Sequence, residues 1–212
     1  MIKVNEIYYS IQGESSKAGL PCVFIRLTYC NLRCTYCDTE HAFYEGIDMG
    51  IEDILSEVKK HECNLVEVTG GEPLFQKECI GLMKRLCNNG FEVLLETGGS
   101  LPIKDVDRRV KIIMDLKCPS SGMMKKNLYT NIDDLKQSDE VKFVIGSTED
   151  YNWSKEILEK YNLTKKCSVL FSTVFGKLEP VTLVNWILKD KLDVRFQLQM
   201  HKFIWEPTIR GV

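Results

Sequence analysis

Cys30-Asn31-Leu32-Arg33-Cys34-Thr35-Tyr36-Cys37 follows directly on the apolar run Val23-Phe24-Ile25-Arg26-Leu27, and this junction decides both fold and chemistry. A β-branched and aromatic run that opens into a polar loop reads as a strand delivering functional groups at its carboxyl end. Three thiols spaced Cys-x3-Cys-x2-Cys suit an iron–sulfur cluster, and a cluster of four irons ordinarily takes four thiolates. A loop that offers three leaves one iron open to bind and reduce another molecule. The alternative is a tetrahedral zinc ion held by the same cysteines with His41, although structural zinc modules usually present two separated ligand pairs.

Composition narrows the class. The chain has 212 residues, enough for one globular domain, 1–212, with a sizeable core. Its 28 basic and 30 acidic residues give a net charge of −2 without a basic block, which argues against nucleic acid and for a small-molecule substrate. Nine cysteines, an odd number without a secretory signal, fit a reducing cytoplasm. Apolar runs such as Val93-Leu94-Leu95 fall far short of the roughly 20 residues that cross a bilayer, so no membrane association is expected.

Strand-like runs at Met1 to Tyr8, Cys22 to Leu27, Leu65 to Thr69, Phe91 to Glu96, Ile112 to Leu116, Val141 to Ile145, Ser168 to Ser172 and Val194 to Gln199 alternate with amphipathic stretches. Ile51, Ile54, Leu55 and Val58 recur at helical spacing, as do Leu82, Met83 and Leu86, and Val184, Ile187 and Leu188. Ser147 with Asp150 three positions on predicts a capped helix running to Tyr161. The link between the runs ending at Glu96 and starting at Ile112 is too short for a helix with loops. The pattern predicts an α/β fold, an incomplete β/α barrel with a mostly parallel sheet and ligands at the carboxyl ends of its strands.

Polar motifs cluster at those ends: Thr69-Gly70-Gly71-Glu72-Pro73, Glu96-Thr97-Gly98-Gly99, Asp115 to Ser120, Ser172-Thr173 and Gln197 to His201. The paired glycines allow backbone to approach a ligand, or form an ordinary turn. Arg26 shares a strand face with Phe24 and points into the barrel mouth, where a buried guanidinium requires an anion. A substrate carboxylate or Glu14 would serve, with a structural Arg–Glu pair as the alternative. Glu14 can accept two hydrogen bonds from an amino-pyrimidinone edge, and Gln12 can both donate and accept. Cys22, Cys63, Cys79, Cys87 and Cys167 read as buried small apolar side chains.

The cysteine loop, with aromatic Tyr36 before its third cysteine, resembles the signature of the radical S-adenosylmethionine (radical SAM) superfamily, and Gly70-Gly71-Glu72-Pro73 resembles that superfamily's cofactor motif. Within it, Ser10-Ile11-Gln12-Gly13-Glu14, Cys37-Asp38-Thr39, Glu96-Thr97-Gly98, Asp115-Lys117, Lys142-Phe143, Gln197 and the ending His201 to Trp205 with Arg210-Gly211-Val212 resemble the 7-carboxy-7-deazaguanine synthases over the whole chain. That resemblance implies a carbon–nitrogen lyase that contracts 6-carboxy-5,6,7,8-tetrahydropterin to 7-carboxy-7-deazaguanine, on the route to queuosine and other deazapurines. A 5′-deoxyadenosyl radical would take hydrogen from the carbon bearing the carboxylate and return it after rearrangement.

The resemblance implies a [4Fe–4S] cluster on Cys30, Cys34 and Cys37, and S-adenosylmethionine held by Tyr36, Cys37, Asp38, Gly70, Gly71, Glu72, Lys117, Cys118, Pro119, Ser120, Ser172, Thr173, Val174 and Phe175. Since Ser172 to Phe175 is not a strongly polar run, main chain would hold part of the ribose. Mg²⁺ would sit on Thr39, whose alternative is to cap the turn after the loop. Ile11, Gln12, Gly13, Glu14, Arg26, Thr69, Glu96, His201 and the terminal carboxylate of Val212 would face the substrate, with the N- and C-terminal segments closing the pocket. His201 could equally be a satisfied core or rim histidine. A flavodoxin or ferredoxin electron donor and a homodimer are implied in the same way. The remaining alternatives are an activase that installs a glycyl radical on a large partner and a non-catalytic zinc-binding interaction module.

Overall fold

Along the strand that feeds the cysteine loop, Val23, Ile25 and Leu27 are buried in one apolar cluster while Phe24 belongs to another. Successive side chains point to opposite faces of a strand, so this strand separates two environments. The computed structural model describes the whole chain, Met1–Val212. Strands β1 (Ile2–Ile11), β2 (Pro21–Leu27), β3 (Ile47–Met49), β4 (Leu65–Gly70), β5 (Glu92–Thr97), β6 (Lys111–Asp115), β7 (Glu140–Ile145), β8 (Ser168–Thr173) and β9 (Arg195–Phe196) form one sheet in the order β3-β1-β2-β4-β5-β6-β7-β8-β9. β1 runs antiparallel to both its neighbours, and every pair from β2 to β9 is parallel. This is the abbreviated β/α barrel that the alternating pattern predicts.

Helices α1 (Ile51–Lys59), α2 (Glu78–Asn88), α4 (Thr148–Tyr161) and α6 (Pro180–Asp190) supply the main outer layer, with single turns α3 (Asn131–Asp134), α5 (Leu163–Lys166) and α7 (His201–Ile204) between and after them. Ile54, Leu55 and Val58 of α1 and Leu82, Met83 and Leu86 of α2 pack on the outward faces of the strands. Each such side chain, fully buried, contributes about 1.5–3 kcal/mol, which fixes strand register because a one-residue slip would expose the set. The inner face carries a smaller cluster of Cys22, Phe24, Leu65, Leu94 and Ile113. Above it the inward positions turn polar.

Several local expectations need correction. Leu188 is 68% exposed, because the buried stripe of α6 runs through Leu183 and Ile187 at the i, i+4 spacing and leaves Leu188 to one side. The last strand pairs only over Arg195–Phe196, as an edge strand has one neighbour to hold it, although the Gln197 amide still donates to Phe171 O at 2.9 Å. β3, with Asp48 at its centre, carries no strand signal of its own and forms by pairing with the outer edge of β1. Cys63 and Cys87 are half-buried, not fully enclosed. Between β5 and β6, in contrast, there is no helix, as the short link predicts, and Ile103, Val106 and Val110 fill the core there.

Candidate active site

The carboxyl ends of the parallel strands open into a cavity of about 810 Å³, lined by Cys30, Cys34 and Cys37 together with residues from both chain ends. Two glycines hold the cysteine loop to the sheet. Gly70 has φ +139, and a Cβ there would lie 2.1 Å from Leu27 O; a Cβ on Gly71 would lie 2.2 Å from Tyr29 O. Only glycine fits either position. The Gly71 amide donates to Leu27 O at 3.1 Å and the Glu72 amide to Tyr29 O at 2.8 Å, so the turn after β4 is stitched to the start of the loop. With its amide committed, the turn is left with carbonyl oxygens to offer a ligand amino group.

Glu72 is fully buried and does not line the cavity. Its carboxylate accepts from the Leu74 amide (3.1 Å), the Gly98 amide (2.8 Å) and the Thr97 hydroxyl (2.9 Å), tying the turn after β4 to the end of β5. Burial pushes its pKa up, and these donors work against that. The residue expected to touch cofactor thus braces the turn after β4 against the end of β5.

The thiols of Cys30, Cys34 and Cys37 are free, part-exposed and face the same cavity. The Leu32 amide donates to Cys30 Sγ at 3.4 Å, a contact that favours thiolate. Burial raises the pKa of Cys30 and Cys34, and Lys117 opposes this in both. For Lys117 itself, burial works against the charge, but Asp115 at 2.8 Å and Cys34 outweigh it and raise its pKa. Three thiols beside a buried ammonium suit an anionic cluster. No three His, Cys, Asp or Glu side chains converge on a single-ion geometry, and His41, the fourth ligand of the zinc alternative, is turned to Glu6 at 3.7 Å.

Thr39 precedes the 3₁₀ turn Glu40–Phe43, yet its side chain makes no capping bond. It lines the cavity with Oγ1 3.9 Å from Cys37 Sγ. On the opposite wall Asp150, the third residue of α4, accepts from the Ser120 amide (2.8 Å), the Ser120 hydroxyl (2.5 Å) and the Gly146 amide (2.8 Å). Ser147 Oγ caps the helix by accepting from the Asp150 amide at 3.1 Å. The Asp150 side chain, placed to close a capping box, instead joins the loops after β6 and β7. Ser172 Oγ is buried without a partner, and Val174 and Phe175 line the cavity. Cys118, Pro119, Ser120, Ser172 and Thr173 stand behind that lining.

The floor is a charge network. Lys142 on β7 pairs with Glu14 at 2.7 Å and with Glu96, and stands 3.9 Å from Asp115. Burial disfavours its charge, but Glu14, Glu96 and Asp115 prevail and hold its pKa well above the ordinary lysine value. Burial likewise opposes ionised Glu14, yet Lys142 and the Gln199 amide at 2.9 Å bring its pKa down. Those contacts take one site on each Glu14 oxygen and leave others for a ligand. Thr69 donates to Glu96 at 3.4 Å.

Arg26 points into the cavity, but its anion is Glu6, at 2.7 Å, with Tyr8 OH at 2.8 Å; Glu14 is not its partner. Burial works against the guanidinium charge, and Tyr8 and Glu6 raise its pKa in spite of that. Burial in turn pushes Tyr8 up to about 12. Gln12 is committed as well: its carbonyl accepts from the Glu14 amide at 2.8 Å and its NH₂ donates to Glu67. It positions Glu14 while itself lining the cavity.

The two chain ends meet over this floor. The Met200 amide donates to Gly13 O at 2.9 Å, and a Cβ on Gly13 would lie 2.3 Å from His201 Nδ1. Burial lowers the pKa of His201 and favours the neutral ring. Ile11 and Val212 line the same cavity. Glu6, Tyr8, Glu67 and Gln199 were not singled out from sequence, and Lys142 and Asp115 were noted without a role. An acid in the middle of an apolar strand, as in Leu65-Val66-Glu67-Val68-Thr69, was the available signal for Glu67.

A sequence model described as the radical SAM superfamily matches residues 24–178. A 7-carboxy-7-deazaguanine synthase of Chlorobaculum tepidum is 48% identical, covering 100% of this chain and 97% of its own. One from Koribacter versatilis is 45% identical, with 100% of each chain covered. The crystal structure of QueE from Escherichia coli superposes with a TM-score of 0.79 over 94% of each chain at 21% identity, a likeness of fold.

Proposed function

Because the chain belongs to the 7-carboxy-7-deazaguanine synthase family of the radical SAM superfamily, we propose that its cavity binds 6-carboxy-5,6,7,8-tetrahydropterin beneath the cysteine loop for conversion to 7-carboxy-7-deazaguanine. The reaction is a radical ring contraction with loss of ammonia, the carbon–nitrogen lyase step of deazapurine and queuosine biosynthesis. The [4Fe–4S] cluster and S-adenosylmethionine supply the radical chemistry when bound. The observation that carries the substrate reading is that three thiols and a buried carboxylate–lysine floor line one cavity.

Cys30, Cys34 and Cys37 hold the cluster. Gly70 and Gly71 offer backbone to the methionine end of the cofactor; Tyr36, Asp38 and Lys117 flank it, and Val174 and Phe175 form the far wall, with Ser120, Ser172 and Thr173 behind it. Ser172 Oγ, buried and unpartnered, is suited to a ribose hydroxyl or an ordered water. Glu14 accepts from the amino group and ring N–H of the pterin, Arg26 neutralises its carboxylate, and Thr69, Glu96, His201, Ile11, Gly13 and Val212 shape the rest of the pocket. Thr39, free of capping duty, supplies an oxygen for Mg²⁺. Apposition of residues 13–14 with 199–201 excludes water from the floor.

Reduction of the cluster calls for a small flavodoxin or ferredoxin, and a homodimer follows the family expectation. All nine cysteines are free thiols, which suits a reducing cytoplasm, and no helix is long and apolar enough to cross a membrane. The test is anaerobic incubation of the reconstituted protein with S-adenosylmethionine, reductant, Mg²⁺ and the pterin, read by mass spectrometry. Loss of pterin with appearance of the deazapurine supports the reading; cofactor cleavage with the pterin intact refutes it.

A further inference from the structure

Two carboxylates of the cavity lining are buried, Asp115 and Glu67. Asp115 has Lys117 at 2.8 Å. Glu67, 3% exposed on β4, has no ammonium or guanidinium within ion-pair reach and is held by the Gln12 amide. Its register neighbours are Phe24 on β2 and Leu94 on β5, both members of the inner apolar cluster. The nearest cations already serve other acids, Lys142 with Glu14 and Glu96, and Arg26 with Glu6. An ionised carboxylate flanked by apolar side chains, with like charges nearby and no cation of its own, takes up a proton instead.

The hydrogen-bond chain says where that proton points. The Glu14 amide donates to Gln12 Oε1 and Gln12 Nε2 donates to Glu67 Oε2, so both ends of the Gln12 amide are fixed. One oxygen of Glu67 therefore acts as acceptor, while the side chain as a whole lines the cavity. On an amino-pyrimidinone edge the amino group and ring N–H, both donors, lie next to a carbonyl oxygen, which requires a donor. Glu14 has free acceptor sites for the first two. Around the floor, Lys142, Thr69 and Gln12 each already donate to a carboxylate, and Arg26, held by Glu6 and Tyr8, is assigned to the pterin carboxylate.

We propose that Glu67 serves as a neutral carboxylic acid in the substrate pocket, its carbonyl oxygen accepting from Gln12 and its hydroxyl donating to the ring carbonyl of the bound pterin. This rests on the substrate reading above and makes Glu67 a specificity-determining residue for the guanine-like edge. Burial first, then Glu96 and Glu14, raise its pKa well above the ordinary carboxylate value, against the pull of Lys142 and Arg26. A protonated acid used as an in-site donor is an established device of enzyme pockets.

Infrared spectra of reconstituted holoenzyme at neutral pH test the protonation directly, with 7-carboxy-7-deazaguanine as the probe ligand. The wild type is expected to show a protonated carboxyl band that shifts when the probe binds and is missing from Glu67→Gln. In turnover, Glu67→Gln, which keeps a donor and an acceptor, holds KM within about threefold. Glu67→Leu raises KM about tenfold with a smaller change in kcat, the weight of one hydrogen bond. Cluster absorbance and pterin-independent cofactor cleavage remain those of the wild type in both. A wild-type spectrum without the band, or a KM for Glu67→Gln as high as for Glu67→Leu, overturns the proposal. If Glu67→Leu does not fold, the band and Glu67→Gln decide alone. Turnover without the band sinks only the role of Glu67, whereas the band without pterin turnover sinks the substrate reading.

Discussion

Replacing Lys142 with Met removes the one cation that Glu14 and Glu96 share and keeps most of the side-chain volume. The Lys142 side chain is 5% exposed and Glu14 15%, so Glu14 loses its cation with little access to water, while Glu96 at 28% is better solvated and Asp115 keeps Lys117. Breaking one side of a buried pair costs about 3–5 kcal/mol, or roughly 6 to 20 °C in Tm for a chain of this size. The pH dependence has a definite sign. In the wild type the lowered Glu14 pKa contributes stability above the ordinary carboxylate value that is lost as pH falls through the folded value. The raised Lys142 pKa contributes stability that is present below the ordinary lysine value and is lost only as pH rises through the folded one. At neutral pH both are present. In the variant the orphaned carboxyls relieve themselves by taking protons, so the deficit is largest near about pH 8 and shrinks toward about pH 5. Urea midpoints of reconstituted wild type and variant at the two pH values measure it. A loss below about 1 kcal/mol at the higher pH, or one independent of pH, would refute the reasoning, since it would rank Lys142 with exposed ion pairs.

Thr39→Ala is expected to abolish the response of turnover to added Mg²⁺ and to lower kcat/KM about tenfold with cluster absorbance unchanged; an unaltered Mg²⁺ titration removes Thr39 from the site. Asp150→Ala frees Ser120 and Gly146 together and should weaken S-adenosylmethionine binding about tenfold in calorimetry, and wild-type affinity would contradict its bracing role. Gly71→Ala places a Cβ 2.2 Å from Tyr29 O and 2.9 Å from Cys30 Cβ, neither of them the end of a flexible side chain. It should cost about 1–3 kcal/mol and lower iron content after reconstitution, and full iron content would show that the loop can shift without consequence.

The barrel was legible because its parallel strands are short β-branched runs whose period the sheet enforces, and because α1, α2 and α4 carry clear faces or caps. The polar strand ends were legible for the same reason. What sequence could not supply was pairing across distance. Arg26 reads as needing an anion, but Glu6 answers it from across the β1–β2 ladder, where Glu6 and Arg26 are direct register partners. Gln12 looks free at both ends in one dimension, while in the fold Glu67 and the Glu14 amide each take one of its bonding positions and fix its orientation. Glu72 sits inside a cofactor motif yet supports the backbone behind it, a distinction that depends on which way one carboxylate turns.

The proposed reaction requires one cavity to hold cofactor and pterin close enough for hydrogen to pass between them without reaching water. The most direct measurement uses pterin deuterated at the carbon that bears the carboxylate, in excess over S-adenosylmethionine, with both recovered after several turnovers and analysed by mass spectrometry. Deuterium is expected in the recovered cofactor pool, with more deazapurine formed than cofactor supplied. Deuterium released to solvent, or one cofactor consumed for each product, would contradict it.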